Sequence, residues 1–106
     1  MDYSLIYIPH PNKESAIKTA KILIEEELIA CANIIDAMTS IYRWEGKIVE
    51  EGEVLLLAKS KSALFLKIQK RVEQFHPYTC PCIVAISLDQ GNSKYLDWVN
   101  KSTQNI

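Results

Sequence analysis

Cys31-Ala32-Asn33-Ile34-Ile35-Asp36-Ala37-Met38-Thr39-Ser40-Ile41-Tyr42-Arg43-Trp44 is the stretch on which the fold turns. It is rich in β-branched and aromatic residues, it stops at Glu45-Gly46, and Lys47 to Lys59 returns with the same character, so the whole reads as a β-hairpin closed by a two-residue turn. Extended at about 3.3 Å per residue, the outgoing strand would reach roughly 46 Å. A compact domain of about 100 residues, with a radius of gyration near 13 Å, is only about 34 Å across. The hairpin is therefore expected to overshoot the body. Its end carries Ile41, Tyr42, Trp44, Ile48 and Val49, apolar surface that an isolated two-stranded arm does not keep in water. The tip is expected to lodge against a neighbour. Glu50-Glu51-Gly52-Glu53 interrupts the alternation of the return strand, and a bulge that bends the arm is expected at Gly52.

Working outward, Tyr3 to Ile8 is a short run of β-formers closed by Pro9-His10-Pro11, the way a strand ends before a turn. Asn12 is placed to cap a helix whose Ala16, Ile17, Ala20, Leu23, Ile24 and Leu28 recur at helical spacing. A second helix is expected from about Ser62, with Leu64, Phe65, Ile68, Val72 and Phe75 on one face and Lys67, Lys70 and Arg71 on the other, stopped by His76-Pro77. Cys82 to Leu88 is long and apolar enough for a strand buried on both sides. Asn92 is placed to cap a last helix carrying Tyr95, Leu96, Trp98 and Val99. The predicted order is strand, helix, strand, strand, helix, strand and a terminal helix. That is an α+β, ferredoxin-like βαββαβ sandwich with a long hairpin between its second and third strands and a C-terminal helix, in a single domain over residues 1–106.

Composition excludes several classes of function. The chain has 106 residues, and twelve Lys and Arg against thirteen Asp and Glu leave a net charge of -1. No long-range field draws it to nucleic acid or anionic lipid. Its apolar runs fall short of the roughly 20 residues that span a bilayer, so no membrane partner is expected. Met1-Asp2-Tyr3-Ser4 carries an acid where a secretory leader carries Lys or Arg, and three Cys cannot all pair internally; both point to a reducing, cytoplasmic setting. Three isolated glycines build neither a phosphate-cradling loop nor a dinucleotide fingerprint.

Leu28-Ile29-Ala30-Cys31-Ala32-Asn33-Ile34, Ser40-Ile41-Tyr42-Arg43-Trp44-Glu45-Gly46-Lys47, Glu53-Val54-Leu55-Leu56-Leu57-Ala58-Lys59, His76-Pro77-Tyr78 and Tyr95-Leu96-Asp97-Trp98 together resemble the CutA divalent-cation tolerance family over nearly the whole chain. The resemblance implies a ferredoxin-like protomer in a tight homotrimer whose hairpins and sheet edges pair between subunits. It also implies a role in copper and other divalent-metal tolerance and the response to metal ions, metal binding in some members, and no enzymatic activity. The architecture is similar to that of the trimeric PII signalling proteins, which supports an alternative reading as a sensor or scaffold for a small ligand or protein at inter-subunit clefts. The family's copper site joins a Cys at the end of the first strand to the His of His-Pro-Tyr, sometimes with a second His before it. Here those positions hold Ile8, His76 and Phe75, so only His76 carries over. Cys82 stands where the family commonly has Glu.

Cys80-Pro81-Cys82 follows His76 by four residues. In an extended segment, residues two apart point the same way, so both sulfurs and His76 are candidates to converge. Two thiolates and an imidazole suit Cu(I) or Zn²⁺. The spacing equally fits two small residues entering a buried strand. Cys31, flanked by alanines, reads as core, and His10 as a solvated loop side chain. Tyr42, Trp44 and Tyr78 read as inter-subunit anchors. The Glu runs read as solvated faces, since hard-cation sites need oxygens converging from several directions. The sequence thus leads to a cytoplasmic homotrimer that binds without catalysis, with His76, Cys80 and Cys82 as candidate metal ligands, copper or zinc as candidate metals, and no cofactor needed for folding.

Overall fold

A computed structural model describes residues 1–105. In chain order the elements are β1 (Tyr3–His10), α1 (Lys13–Glu25), β2 (Cys31–Trp44), β3 (Lys47–Lys61), α2 (Phe65–Glu73, entered through a 3₁₀ turn at Ser62–Leu64), β4 (Val84–Leu88) and α3 (Ser93–Ser102). The four strands form one sheet in the order β2-β3-β1-β4, antiparallel at every pairing.

Alternation along the strands decides the two faces of this sheet. Ile6 and Ile8 of β1 stand opposite Ala58 and Leu56 of β3, and these four pack with Ala20 and Leu23 of α1 and Ile68 and Val72 of α2 into the core. Burial of the Ile, Leu and Val side chains among them stabilises the fold by about 1.5–3 kcal/mol each. The opposite face carries Leu5, Tyr7, Leu55 and Leu57. The C-terminal helix α3 covers only one end of it, where the Tyr95 hydroxyl meets Cys31 Sγ at 3.2 Å.

Capping explains where α1 starts and stops, whereas Asn92, expected to cap α3, makes no side-chain cap bond. The Asn12 side chain accepts from the Ser15 N–H at 2.8 Å, as expected for α1. At the other end no glycine is present, yet Glu27 takes φ 57, the Glu27 N–H donates to the Ile24 carbonyl and the Leu28 N–H to the Leu23 carbonyl. This is a Schellman closure, with Leu28 buried over Leu23.

The hairpin has the predicted length, and the chain measures 44 × 26 × 22 Å. Glu45 and Gly46 both have positive φ, at 50° and 78°, the pattern of a type I′ turn. The bulge is not at Gly52, which pairs in register with Thr39. It lies in β2, where Asp36 and Ala37 together oppose Val54 between the pairs Ile35–Leu55 and Met38–Glu53. Ala37, at φ 60, is the left-handed residue that makes the bend.

The last strand departs from expectation in two ways. It begins at Val84, leaving Cys82 outside. Continuing the β1–β4 register would set Cys82 against Pro9, which has no N–H to give, and the Pro9 carbonyl is already taken by His76 Nε2 at 2.9 Å. The strand is also not buried on both sides. It is the sheet edge of the single chain, with Val84 48% and Ile86 57% exposed.

Candidate functional site

One face of the outer hairpin and the loop after α2 enclose an open cleft of about 430 Å³ lined by Pro9, Tyr42, Trp44, Glu51, Glu53, Pro77, Tyr78, Thr79, Cys80 and Cys82. The pleat assembles its first wall. Tyr42 and Trp44 are two apart on β2, Glu51 and Glu53 two apart on β3, and the register past the bulge puts all four on the same side. Tyr42 donates to Glu51 Oε1 at 2.6 Å. Tyr78 reaches across from the loop and donates to Glu53 Oε2 at 2.7 Å. The carboxylate beside it pushes the Tyr42 hydroxyl up to about 12, and burial together with Glu53 pushes Tyr78 higher still. Both phenols therefore keep their protons and act as donors.

Beneath the loop lies a buried histidine pair. His76 Nδ1 accepts from the Tyr78 N–H at 3.1 Å, so its Nε2 carries the proton given to the Pro9 carbonyl. His10 Nδ1 donates to the Ile8 carbonyl at 3.0 Å and Nε2 accepts from Thr19 at 2.8 Å. Burial lowers the His10 pKa to about 4, with the neighbouring His76 adding to the effect; burial lowers that of His76 as well. The pair is neutral at physiological pH. His10 is not a solvated loop residue: it closes β1 and is 0% exposed.

The three candidate metal ligands do not gather. Both ring nitrogens of His76 are engaged and the side chain is buried, whereas Cys80 and Cys82 are exposed at the cleft. Among the described residues no three His, Cys, Asp or Glu side chains are grouped so as to hold a metal ion. The thiols did not enter a buried strand either. Burial raises the Cys82 pKa, with Glu53 and Cys80 adding to the effect, so this thiol holds its proton more tightly than a free cysteine. Cys31 is half-buried rather than core and has a cation nearby, Lys59 Nζ at 3.9 Å.

Tyr42, Trp44 and Tyr78 all line the cleft, while Glu51 and Glu53 were passed over as a solvated face. Glu53 is in fact 8% exposed. The signal that finds them is parity: two carboxylates at i and i+2 of a strand share a face with the aromatics of the facing strand.

Comparison with known proteins places these features in a group. Residues 4–102 match the family model for the CutA1 divalent ion tolerance protein. The divalent-cation tolerance protein CutA of Thermus thermophilus is 48% identical over 99 residues, covering 93% of this chain and 96% of that one. The crystal structure of CutA1 from Oryza sativa superposes with a TM-score of 0.97 at 35% identity, covering 100% of this chain and 97% of that one. A CutA from Archaeoglobus fulgidus, described as periplasmic, superposes at 0.93 with 37% identity over 96% of this chain and 99% of that one.

Proposed function

The chain belongs to the CutA1 divalent ion tolerance family, and from that premise we propose that it acts as a cytoplasmic homotrimer that confers tolerance by binding metal without catalysis. The family is named for tolerance to ions and not for a reaction. A ferredoxin-like protomer agrees with the strand order β2-β3-β1-β4 and with both main helices packed on one face. Assembly is supported by what that face leaves bare: Ile35, Val84 and Ile86 on the open side of the sheet, and Ile41, Trp44 and Ile48 at the hairpin tip, are each at least 47% exposed.

The observation that carries the metal reading is the pair of exposed thiols, Cys80 and Cys82, at the cleft. Thiolate sulfur selects soft ions, so the donor set fits Cu(I) better than a hard divalent cation. Zn²⁺ would need further ligands that the described residues do not gather. His76 stays with Pro9 and Tyr78 and serves to hold the loop that presents the thiols. A thiol must lose its proton to bind, and the Cys82 proton is held tightly, so uptake strengthens as pH rises.

The test is a chelator competition with Cu(I) on reduced, untagged protein. Cys80→Ser with Cys82→Ser is expected to abolish uptake, and His76→Asn to leave it intact once folding is verified. Unchanged uptake by the double serine variant would refute the thiol site. The alternative PII-like reading, a small ligand at the cleft, is favoured by one specific observation, the aromatic wall formed by Tyr42, Trp44 and Tyr78.

A further inference from the structure

Metal binding by the thiols leaves the inner wall of the cleft without a use. Glu51 and Glu53 leave the same face of β3, where like charges repel and water is partly excluded. Each is steadied by one phenol, which occupies Oε1 of Glu51 and Oε2 of Glu53. The remaining oxygen of each carboxylate has no protein donor among the described residues. No buried side-chain oxygen among them is both sealed from the surface and unpartnered, so the free oxygen of the nearly buried Glu53 opens to the cleft that this residue lines.

The rest of the lining fixes what kind of ligand answers those oxygens. Among the described residues of the single chain no Lys, Arg or His side chain lines the cleft, and Tyr42, Trp44, Tyr78, Pro9 and Pro77 give it apolar and π-rich walls. An anion is repelled. A neutral apolar molecule would strip water from two carboxylates and give nothing back. A hard metal ion needs several converging oxygens, and the described residues offer no such group. An ammonium satisfies carboxylate oxygens by charge-assisted hydrogen bonds and is attracted to aromatic faces. The volume of about 430 Å³ lies within the roughly 300–1,000 Å³ of small-molecule sites.

We propose that the cleft binds a small organic cation, a primary ammonium on an apolar body, with the free oxygens of Glu51 and Glu53 accepting its N–H groups and Trp44 and Tyr42 flanking its body. This site shares the cleft with Cys80 and Cys82 but requires neither thiol nor metal.

Isothermal titration of the intact, reduced, metal-free protein at low ionic strength tests it with three probes of nearly one shape: 2-phenylethylammonium, neutral 2-phenylethanol and anionic 3-phenylpropionate. The ammonium is expected to bind at least about tenfold more tightly than the alcohol, and the anion not at all. Glu51→Gln with Glu53→Gln is expected to weaken ammonium binding by at least about tenfold while Cu(I) uptake is retained, strengthened at a given pH because the Glu53 charge no longer holds the Cys82 proton; Cys80→Ser with Cys82→Ser is expected to abolish Cu(I) uptake and leave ammonium binding in place. Equal affinity for ammonium and alcohol, undiminished binding by the Gln variant, or no ammonium binding up to about 10 mM would each overturn the proposal. The comparison of probes on the unaltered protein stands even where a hairpin variant disturbs assembly. Loss of Cu(I) uptake alone removes the metal reading and leaves the cation site in place.

Discussion

The imidazoles of His10 and His76 lie with ring centroids 4.6 Å apart, buried under the loop that presents Tyr78, Cys80 and Cys82. Each is held neutral by burial, against the pull of the backbone carbonyl it donates to. His10 spends its two nitrogens on Ile8 and Thr19, and His76 spends its own on Pro9 and Tyr78. A proton on either ring would put a charge in a dry place, with Glu53 the one carboxylate whose charge favours it. The pair fastens the end of β1 to α1 on one side and to the cleft loop on the other, so binding and stability meet here.

Acid is expected to loosen this fastening. Both folded-state pKa values lie below the ordinary histidine value of 6.5, that of His10 at about 4. Between those values the unfolded chain binds protons that the folded chain refuses, so the pair's contribution to stability is flat above about pH 7 and falls as pH drops from 6.5 toward 4. The His10 contribution is on the order of 2–4 kcal/mol. Urea unfolding read between about pH 5 and 6.5, above the range where carboxylates titrate, should show this slope in the native protein and a shallower one in His10→Gln. Equal slopes would show that the pair is not its source.

A second prediction concerns Lys61, whose side chain is 1% exposed and whose ammonium donates to the Gln104 carbonyl at 2.7 Å and the Thr103 carbonyl at 3.3 Å. It closes the open carbonyl end of α3, where a positive charge is favoured. Lys61→Met keeps the aliphatic stem and removes the donor. It is expected to cost about 1–3 kcal/mol and to speed hydrogen exchange at the Gln104 N–H, which donates to the Glu27 carbonyl. Slow exchange retained in the variant would show that the tail is held by other means.

Ala37 gives a prediction of opposite sign. It is exposed and sits at φ 60 in the bulge of β2, where a Cβ costs roughly 1–2 kcal/mol. Ala37→Gly removes that strain but loosens the unfolded chain, so a net gain of about 0.5–1 kcal/mol in unfolding free energy is expected. A loss would mean that the bulge is held in this shape by something other than its own backbone.

How much of this was legible in the sequence follows from what each signal measures. The hairpin, both main helices and the order of elements are written in periodicity, which reports a face and survives an error of one or two residues. The bulge is not so written. Bending falls on Asp36-Ala37 and not on Gly52 because the register of two strands decides it, and a left-handed alanine leaves no trace in composition. The cleft was half legible: aromatics at the tip stood out, while Glu51 and Glu53 looked like solvated charge until Tyr42 and Tyr78 were seen to hold them. His76 was read as a ligand and His10 as solvent-exposed. Their placement depends on contacts that no local pattern announces: His76 meets the Pro9 carbonyl 67 residues away, and His10 meets Thr19 nine residues on in the next element.

The edge strand β4 offers Val84 and Ile86 to solvent beside β1, and Ile35 is bare across the same sheet face. An uncovered edge carrying such residues is a template for pairing with another chain. Placing a charge there should dissociate the assembly at little cost to the protomer, because Ile86 is 57% exposed and stands outside the core of a single chain. Sedimentation velocity of the native protein is expected to give the mass of three chains, and Ile86→Asp that of one. Leu66→Asp is the control, since Leu66 is 66% exposed on α2, the helix on the far side of the sheet, and it should leave the trimer intact. A native protein that sediments as a single folded chain at micromolar concentration would remove the trimer, and an Ile86→Asp trimer would move the contact away from β4 to the hairpin tip.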